Sequence, residues 1–560
     1  MFDLLIKNAW IVDGNGTPGF AGDVAVRDGK IAAIETAISG QARHTLDAAG
    51  QVVAPGFIDI HTHYDAQVFW DPLCSSSSWH GSTTVVTGNC GFTLAPCRPE
   101  DRDYLTRTLA VVEDMSLQAL QEGIVWSWED FPGYVAALER QPKAINIGCY
   151  IGHSAVRRYV MGADCRRLAS DKEVARMREI VLEAIHAGAL GFSSSRIPLH
   201  VDGEGQSVPS FYADLPELLT LGRAVGEAGR GVLEITAKMV LPEGEHEAGD
   251  LPDLVALAKV SGRPVTWASV RYLPTYPGRS LFILSQVAQA NQREGVRLHP
   301  QIGCRPFETF MNWHKLIPVF AHLPSWREVM FLAAEEKTAA LRDPARRRTM
   351  RAELEGAAFF TGWQNVLVRE AKRPQHKHLE GQTITAIADQ AGTDPLEAYL
   401  DLCVAEECQT EFTYWAADMA EEPMGQMLKD PNTLLETDAG AHLTSLCNAD
   451  FPSYLLGHWV RDTGVLSLDE AVTRLTSRPA EVLGLGDRGR LHVGLAADVV
   501  IFDRHRIRGG HRQTVYDLPA QQPRLIQKAE GIHTVIVNGQ VILEDGQHTG
   551  ATPGQVLRAG

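Results

Sequence analysis

The chain has 560 residues, 44% of them hydrophobic, with 69 acidic against 52 basic side chains and a formal charge of −17. This length and apolar content suit a large enzyme-sized body rather than a disordered chain. So acidic a surface repels phosphate backbones and anionic headgroups, which argues against nucleic-acid and membrane-surface partners.

The first residues, "MFDLLIKNAWIVDG", alternate like a strand and show neither a basic leader nor a cleavage site, and no stretch approaches the about 18 apolar residues of a spanning helix. The nine cysteines are scattered and odd in number, which fits reduced thiols; a soluble, cytoplasmic protein is expected. Residues 2–55 carry short β-like runs cut by Asn-Gly and Asp-Gly turn signals, the texture of a small antiparallel unit.

Next comes "PGFIDIHTHYD", a strand-like run that ends in two histidines. Side chains at i and i+2 of a strand share a face, so His61 and His63 point the same way at the strand's C-terminal end. Two imidazoles converging there are costly to bury without a partner, and a divalent metal engages both neutral rings. A structural pair bonded to backbone carbonyls is the alternative. Cys90 in "TTVVTGNCGF" follows a β-branched run, and its thiolate would be a strong zinc ligand, although an isolated cysteine is more commonly core packing.

From residue 145 the chain alternates strand-like with helical stretches: "INIGCYIG", "SDKEVARMREIVLEAIHAG", "ALGFSSS", "LPELLTLGRAVGEAG", "GVLEIT", "DLPDLVALAKVSG", "PVTWASV". Repeated β-α units predict a parallel sheet, and repetition over this length favours a closed barrel. Residues 303–380 break the rhythm with Trp, Pro and basic clusters and read as a lid or insertion. Asp438 then ends the apolar run "NTLLETD", where a helix cap is the other reading. The C-terminal runs "GRLHVGLAADVVIFD" and "HTVIVNGQVILEDG" return to short strands, so residues 1–55 and 485–560 are expected to form one small domain around a barrel of residues 56–484.

Taken together, "VVAPGFIDIHTHYD", "GSTTVVTGNCGF", "YIGHSAVRRYVMG", "EAIHAGALGFSSS", "ETDAG" and "LSLDEAVTRLTSRPAEVLGLGDRGRLHVGLAADVVIFD" resemble the amidohydrolase superfamily, and within it the D-aminoacylase (N-acyl-D-amino-acid deacylase) group, almost end to end. The resemblance implies an α/β fold, a (β/α)8 TIM barrel with a small β-sandwich domain formed from both chain termini. It implies a metal-dependent hydrolase of an amide C–N bond, with His61, His63, Cys90 and Asp438 as ligands of Zn2+ or another divalent metal. Asp438 falls on the position of the general base and acid.

The match is incomplete. Thr236 in "LEITAK" and Ser269 in "ASVR" stand where the group carries two further metal-binding histidines, and the nearest histidine after the first stretch, His246, lies in the loop-like "LPEGEHEAGD". One metal per chain is therefore expected, since three protein ligands plus water suffice for a catalytic zinc. Extended backbone would put Glu234, Thr236 and Lys238 on one face, where either Glu234 or a modified Lys238 bridges to a metal or the two form a surface salt pair.

Arg271 stands where the group uses a lysine for the substrate carboxylate, so an anionic small-molecule amide is compatible with it. Ser453 replaces an arginine of the pattern, and His299 and Gln301 replace aromatic residues, with His299 taken as a substrate-binding residue. His153 in "YIGHS" fits a role beside the site or a backbone hydrogen bond; His80, His376 and His378 read as surface or lid residues. Two other readings stay open: a single-metal barrel enzyme of different chemistry, such as cyclic amide or ester hydrolysis or decarboxylation, and a decayed binding protein. A homo-oligomer is compatible with either.

Overall fold

A computed structural model describes every residue except 239–248, 315, 316, 356, 358 and 359. The two chain ends do pair. Strands Phe2–Ile11, Phe20–Arg27, Lys30–Glu35, Ala42–Asp47 and Val52–Pro55 join Val499–Phe502, Ile532–Val537, Gln540–Glu544 and Gln547–His548 in one nine-stranded sheet. The join is antiparallel, with Val53 opposite Ile501. β-Branched and aliphatic residues from both ends, among them Ile6, Ile11, Val24, Val499 and Ile536, bury each other in a core of their own. A separate ribbon, Arg508–Leu518 with Gln522–Glu530, reaches back toward the central part of the chain, where Leu525 N donates to Leu443 O at 2.7 Å.

Between these ends run eight parallel strands: β1 (Phe57–Asp59), β2 (Ser82–Thr87), β3 (Asn146–Gly152), β4 (Gly191–Ser195), β5 (Val232–Thr236), β6 (Val265–Ala268), β7 (Leu298–Ile302) and β8 (Leu434–Leu435). Each pairs with its sequence neighbour, from β1 to β8 in order. Nearly every residue in them is buried, as expected of strands covered on both faces. Closure occurs just beyond the strand ends. There Asp438 N donates to His61 O at 3.1 Å and His63 N to Ala439 O at 2.8 Å. Asp59 strengthens the seam, accepting from His61 N through one oxygen (3.3 Å) and from the Thr437 hydroxyl through the other (2.6 Å).

The helices follow the expected rhythm, and α1 (Asp171–Ala187), between β3 and β4, shows why. Ser170 and Glu173 form a capping box at its start, and Gly188, at φ 112°, ends it in the left-handed region. Met177, Ile180, Val181, Ala184 and Ile185 recur at helical spacing and are buried against the barrel. Each aliphatic side chain so buried contributes about 1.5–3 kcal/mol.

The excursion between β7 and β8 is longer than composition suggests. It holds a three-stranded antiparallel sheet of Phe307–Met311, Val366–Glu370 and Glu411–Ala417, with the last of these in the middle. Its own aromatic core includes Trp313, Phe320, Trp326, Tyr399 and Tyr414. The unit thus runs past residue 380 to Ala417, because helices Ile384–Ala391 and Pro395–Ala405 imitate barrel rhythm while packing on this second core.

Candidate active site

The site grows out of the closure seam. His61 and His63 lie just past β1 with their ring centroids 5.3 Å apart, both almost fully buried. Gln301, on β7, sets the first ring. Its amide nitrogen donates to Thr266 Oγ1 (3.1 Å), which turns its oxygen toward His61 Nδ1 at 2.6 Å. Nδ1 therefore carries the proton, and the Nε2 lone pair faces Cys90 Sγ 3.3 Å away.

His63 Nε2 lies 3.0 Å from Asp438 Oδ1, and its Nδ1 lies 3.1 Å from Glu113 Oε1, an ion-pair distance out of line for a hydrogen bond. Cys90 and Asp438 both adopt left-handed backbone, φ 56° and 64°, a conformation that non-glycine residues hold chiefly where surrounding structure enforces it. Glycines make this geometry accessible. A Cβ on Gly91 would come within 3.1 Å of Ser194 Cα, and one on Gly440 within 2.9 Å of the His63 carbonyl carbon.

The ligand atoms of His61, His63 and Cys90 all lie within 4.8 Å of one another, and Asp438 Oδ1 joins them at 3.6 Å from His61 Nε2. Three of the four sequence candidates thus form one cluster, and Asp438 borders it on the side of the two imidazoles. Two imidazoles, a thiol and a carboxylate suit a borderline-soft divalent cation such as zinc.

Charge supports the same fit. Burial pushes the Glu234 carboxyl up to about 7, and burial with Glu234, Asp438 and Glu113 nearby pushes the Cys90 thiol well up. Burial alone would raise Asp438 too, but the His63 hydrogen bond and the His61 and His442 rings hold it well below the usual range. Burial pulls the His61 ring down, yet Glu234, Asp438 and Glu436 together raise it. So many acids around two imidazoles create a deficit of positive charge that a bound dication would meet. Glu234 Oε1 and Thr236 Oγ1 are buried and without hydrogen-bond partners.

The other sequence candidates divide. Thr236 lines the cavity, and Ser269 Oγ accepts from Arg271 Nε at 2.9 Å, so neither place regains an imidazole. His246 lies outside the described residues. The Glu234–Lys238 surface pair does not form: Glu234 turns inward to accept from Cys90 N at 2.8 Å, while Lys238 stands 3.5 Å from Asp253. Arg271 lines the cavity with both guanidinium arms on carboxylates, Asp418 and Glu436.

His299 corrects the substrate-binding expectation. It lies two residues earlier on β7 than Gln301, a layer deeper, and its Nδ1 faces the Asn432 carbonyl at 3.2 Å, away from the cavity lining. His153 is buried in a network with Ser194 and Glu217, both at 2.8 Å. His80 is not a surface residue: it is buried between Ser453 Oγ (2.8 Å) and the Gln527 carbonyl (3.0 Å). His376 and His378 do lie on the inserted unit.

Sequence reasoning missed three contributors. Glu113 comes from the end of a helix between β2 and β3, and Gln301 reads as a departure from a pattern rather than as a partner. His442 lines the cavity, its Nε2 3.9 Å from Asp438 Oδ2; its spacing of four from Asp438 was the available signal.

Residues 44–543 match the model of a family described as "Amidohydrolase family". This chain belongs to that family. It is a metal-dependent amidohydrolase, acting on C–N bonds other than peptide bonds. The amidohydrolase is 29% identical to a D-aminoacylase of Alcaligenes xylosoxydans xylosoxydans over 99% of this chain and 97% of that one. Its fold matches an N-acyl-D-glutamate deacylase of Bordetella bronchiseptica solved with zinc and a phosphonate mimic of the tetrahedral intermediate, with TM-score 0.70, 26% identity and full coverage of both chains. A D-aminoacylase described as having a binuclear metal centre, with one-metal activation and second-metal attenuation, superposes with TM-score 0.69 at 26% identity, again over the whole of each chain.

Proposed function

We propose that this amidohydrolase removes the acyl group from an N-acyl amine, with chemistry like that of the N-acyl-D-amino-acid deacylases, and that Asp438 is its general base and then its general acid. His61, His63, Cys90 and Asp438 would hold one divalent metal per chain. Bound there, a zinc-type ion supplies polarisation of the amide carbonyl and acidification of water.

One observation carries the role of Asp438. The side chains of His61 and His63 are 2% exposed, whereas that of Asp438 is 26% exposed and opens onto the cavity. Within the donor cluster it is therefore the group placed to reach a water beside the scissile carbonyl. While the water oxygen bonds to the carbonyl carbon, Asp438 accepts its proton; as the C–N bond breaks, Asp438 returns that proton to the departing amine nitrogen. His63 Nε2 lies 3.0 Å from Oδ1, which leaves Oδ2 on the His442 side of the cavity.

Replacing Asp438 with Asn tests this. Turnover of N-acyl amides is expected to fall by a factor of 10³ or so, in the range typical of a lost general base, with zinc content largely kept. Unchanged turnover would rule the role out.

A further inference from the structure

The cavity beside the donor cluster has a volume of about 400 Å³ and is walled by Leu199, Leu251, Trp267, Leu273, Tyr276 and Phe307 among others. Such walls suit a bulky apolar group. Arg271, in the cavity wall, already has a partner on each of its three nitrogens. Arg271 Nε donates to Ser269 Oγ at 2.9 Å, Nη1 donates to Asp418 Oδ2 at 2.9 Å, and Nη2 donates to Glu436 Oε1. The Phe307 ring covers the guanidinium, with its centroid 4.8 Å from Cζ.

Both carboxylates are buried, Asp418 fully and Glu436 to within 4% of its side chain. One positive charge therefore faces two fixed negative ones. Among the other cations of the described lining, Lys238 stands beside Asp253 and Arg279 is itself partnered. A substrate carboxylate entering here would lose its water and meet an already overcompensated guanidinium, an arrangement that selects against anions.

We infer that the substrate is an uncharged N-acyl amide of a bulky apolar amine, with no carboxylate on the amine half. This rests on the proposed deacylase reading only in placing an N-acyl amide in the cavity.

The test compares N-octanoyl-3-methylbutylamine with N-octanoyl-D-leucine and N-octanoyl-L-leucine, which differ from it by one carboxylate. Binding is measured by calorimetry on zinc-loaded Asp438→Asn protein, a change that removes a negative charge and so works against the expectation. The neutral amide is expected to bind at least tenfold more tightly than either leucine derivative. Equal or tighter binding of either carboxylate overturns the inference. Adding Asp418→Asn, or Glu436→Gln if the first variant does not fold, frees one arm of Arg271 and is expected to narrow the preference at least fivefold; an unchanged preference also overturns it. Hydrolysis of the three amides by unaltered protein is read separately. If no amide is cleaved while the binding preference holds, the deacylase reading fails and the cavity's selection against carboxylates stands without it.

Discussion

Gln301 Oε1 lies 2.6 Å from His61 Nδ1, so a side chain on β7 determines which nitrogen of a histidine beyond β1 faces the donor cluster. Replacing Gln301 with Leu removes that acceptor and lets the ring take either tautomer or turn. Zinc affinity, measured by chelator competition, is expected to fall about 10- to 100-fold, while Gln301→Glu, which keeps an acceptor, should lose much less.

Glu234 supplies the site with a carboxylate whose Oε2 accepts from Cys90 N and whose Oε1 has no partner. Glu234→Gln keeps an acceptor for the backbone bond and deletes the charge. Zinc binding is expected to weaken about tenfold with little change in thermal stability. Metal analysis of the unaltered protein should return one ion per chain; two tightly held ions would contradict that count.

His299 predicts a pH effect that has nothing to do with catalysis. Burial, with the Arg478 charge nearby, holds this ring down to about 4, against 6.5 for the free side chain. Its folded pKa is depressed, so the unfolded chain binds the proton first. The neutral ring's contribution is full above pH 6.5 and is lost as pH falls toward 4, on the order of 3 kcal/mol in all. Denaturant titrations between those limits should show His299→Gln protein losing stability less steeply than the unaltered chain.

Gly440 stands at φ 87°, where an added Cβ would press on the His63 backbone. Gly440→Ala is expected to cost about 1–3 kcal/mol and to lower zinc occupancy, because the displaced backbone belongs to the ligand loop itself. A melt with unchanged midpoint and full zinc would show that the loop yields freely.

The four candidates His61, His63, Cys90 and Asp438 were legible because each follows an apolar, strand-like run, although Cys90 alone also read as core packing and Asp438 alone as a helix cap. The split β-domain was legible for a similar reason: turn signals and alternation mark both ends of the chain and not its centre. Partners contributed by other elements were less visible. Glu113 and Gln301 carry no local pattern, since their roles arise from the barrel bringing distant segments together. His80 misled because its surroundings, Ser453 and Gln527, lie hundreds of positions away. The inserted unit hid its far boundary by using amphipathic helices that any β-α repeat would also use.

β8 contributes only Leu434 and Leu435 to the sheet, and the last stitches of the cylinder are amides belonging to His63 and Asp438. Because the same residues serve the proposed cation site, opening the seam is expected to loosen the cation, and losing the cation to loosen the seam. Deuterium should enter those two amides quickly when chelator strips the protein and slowly once zinc is restored, so solvent exchange at the seam becomes a direct gauge of occupancy.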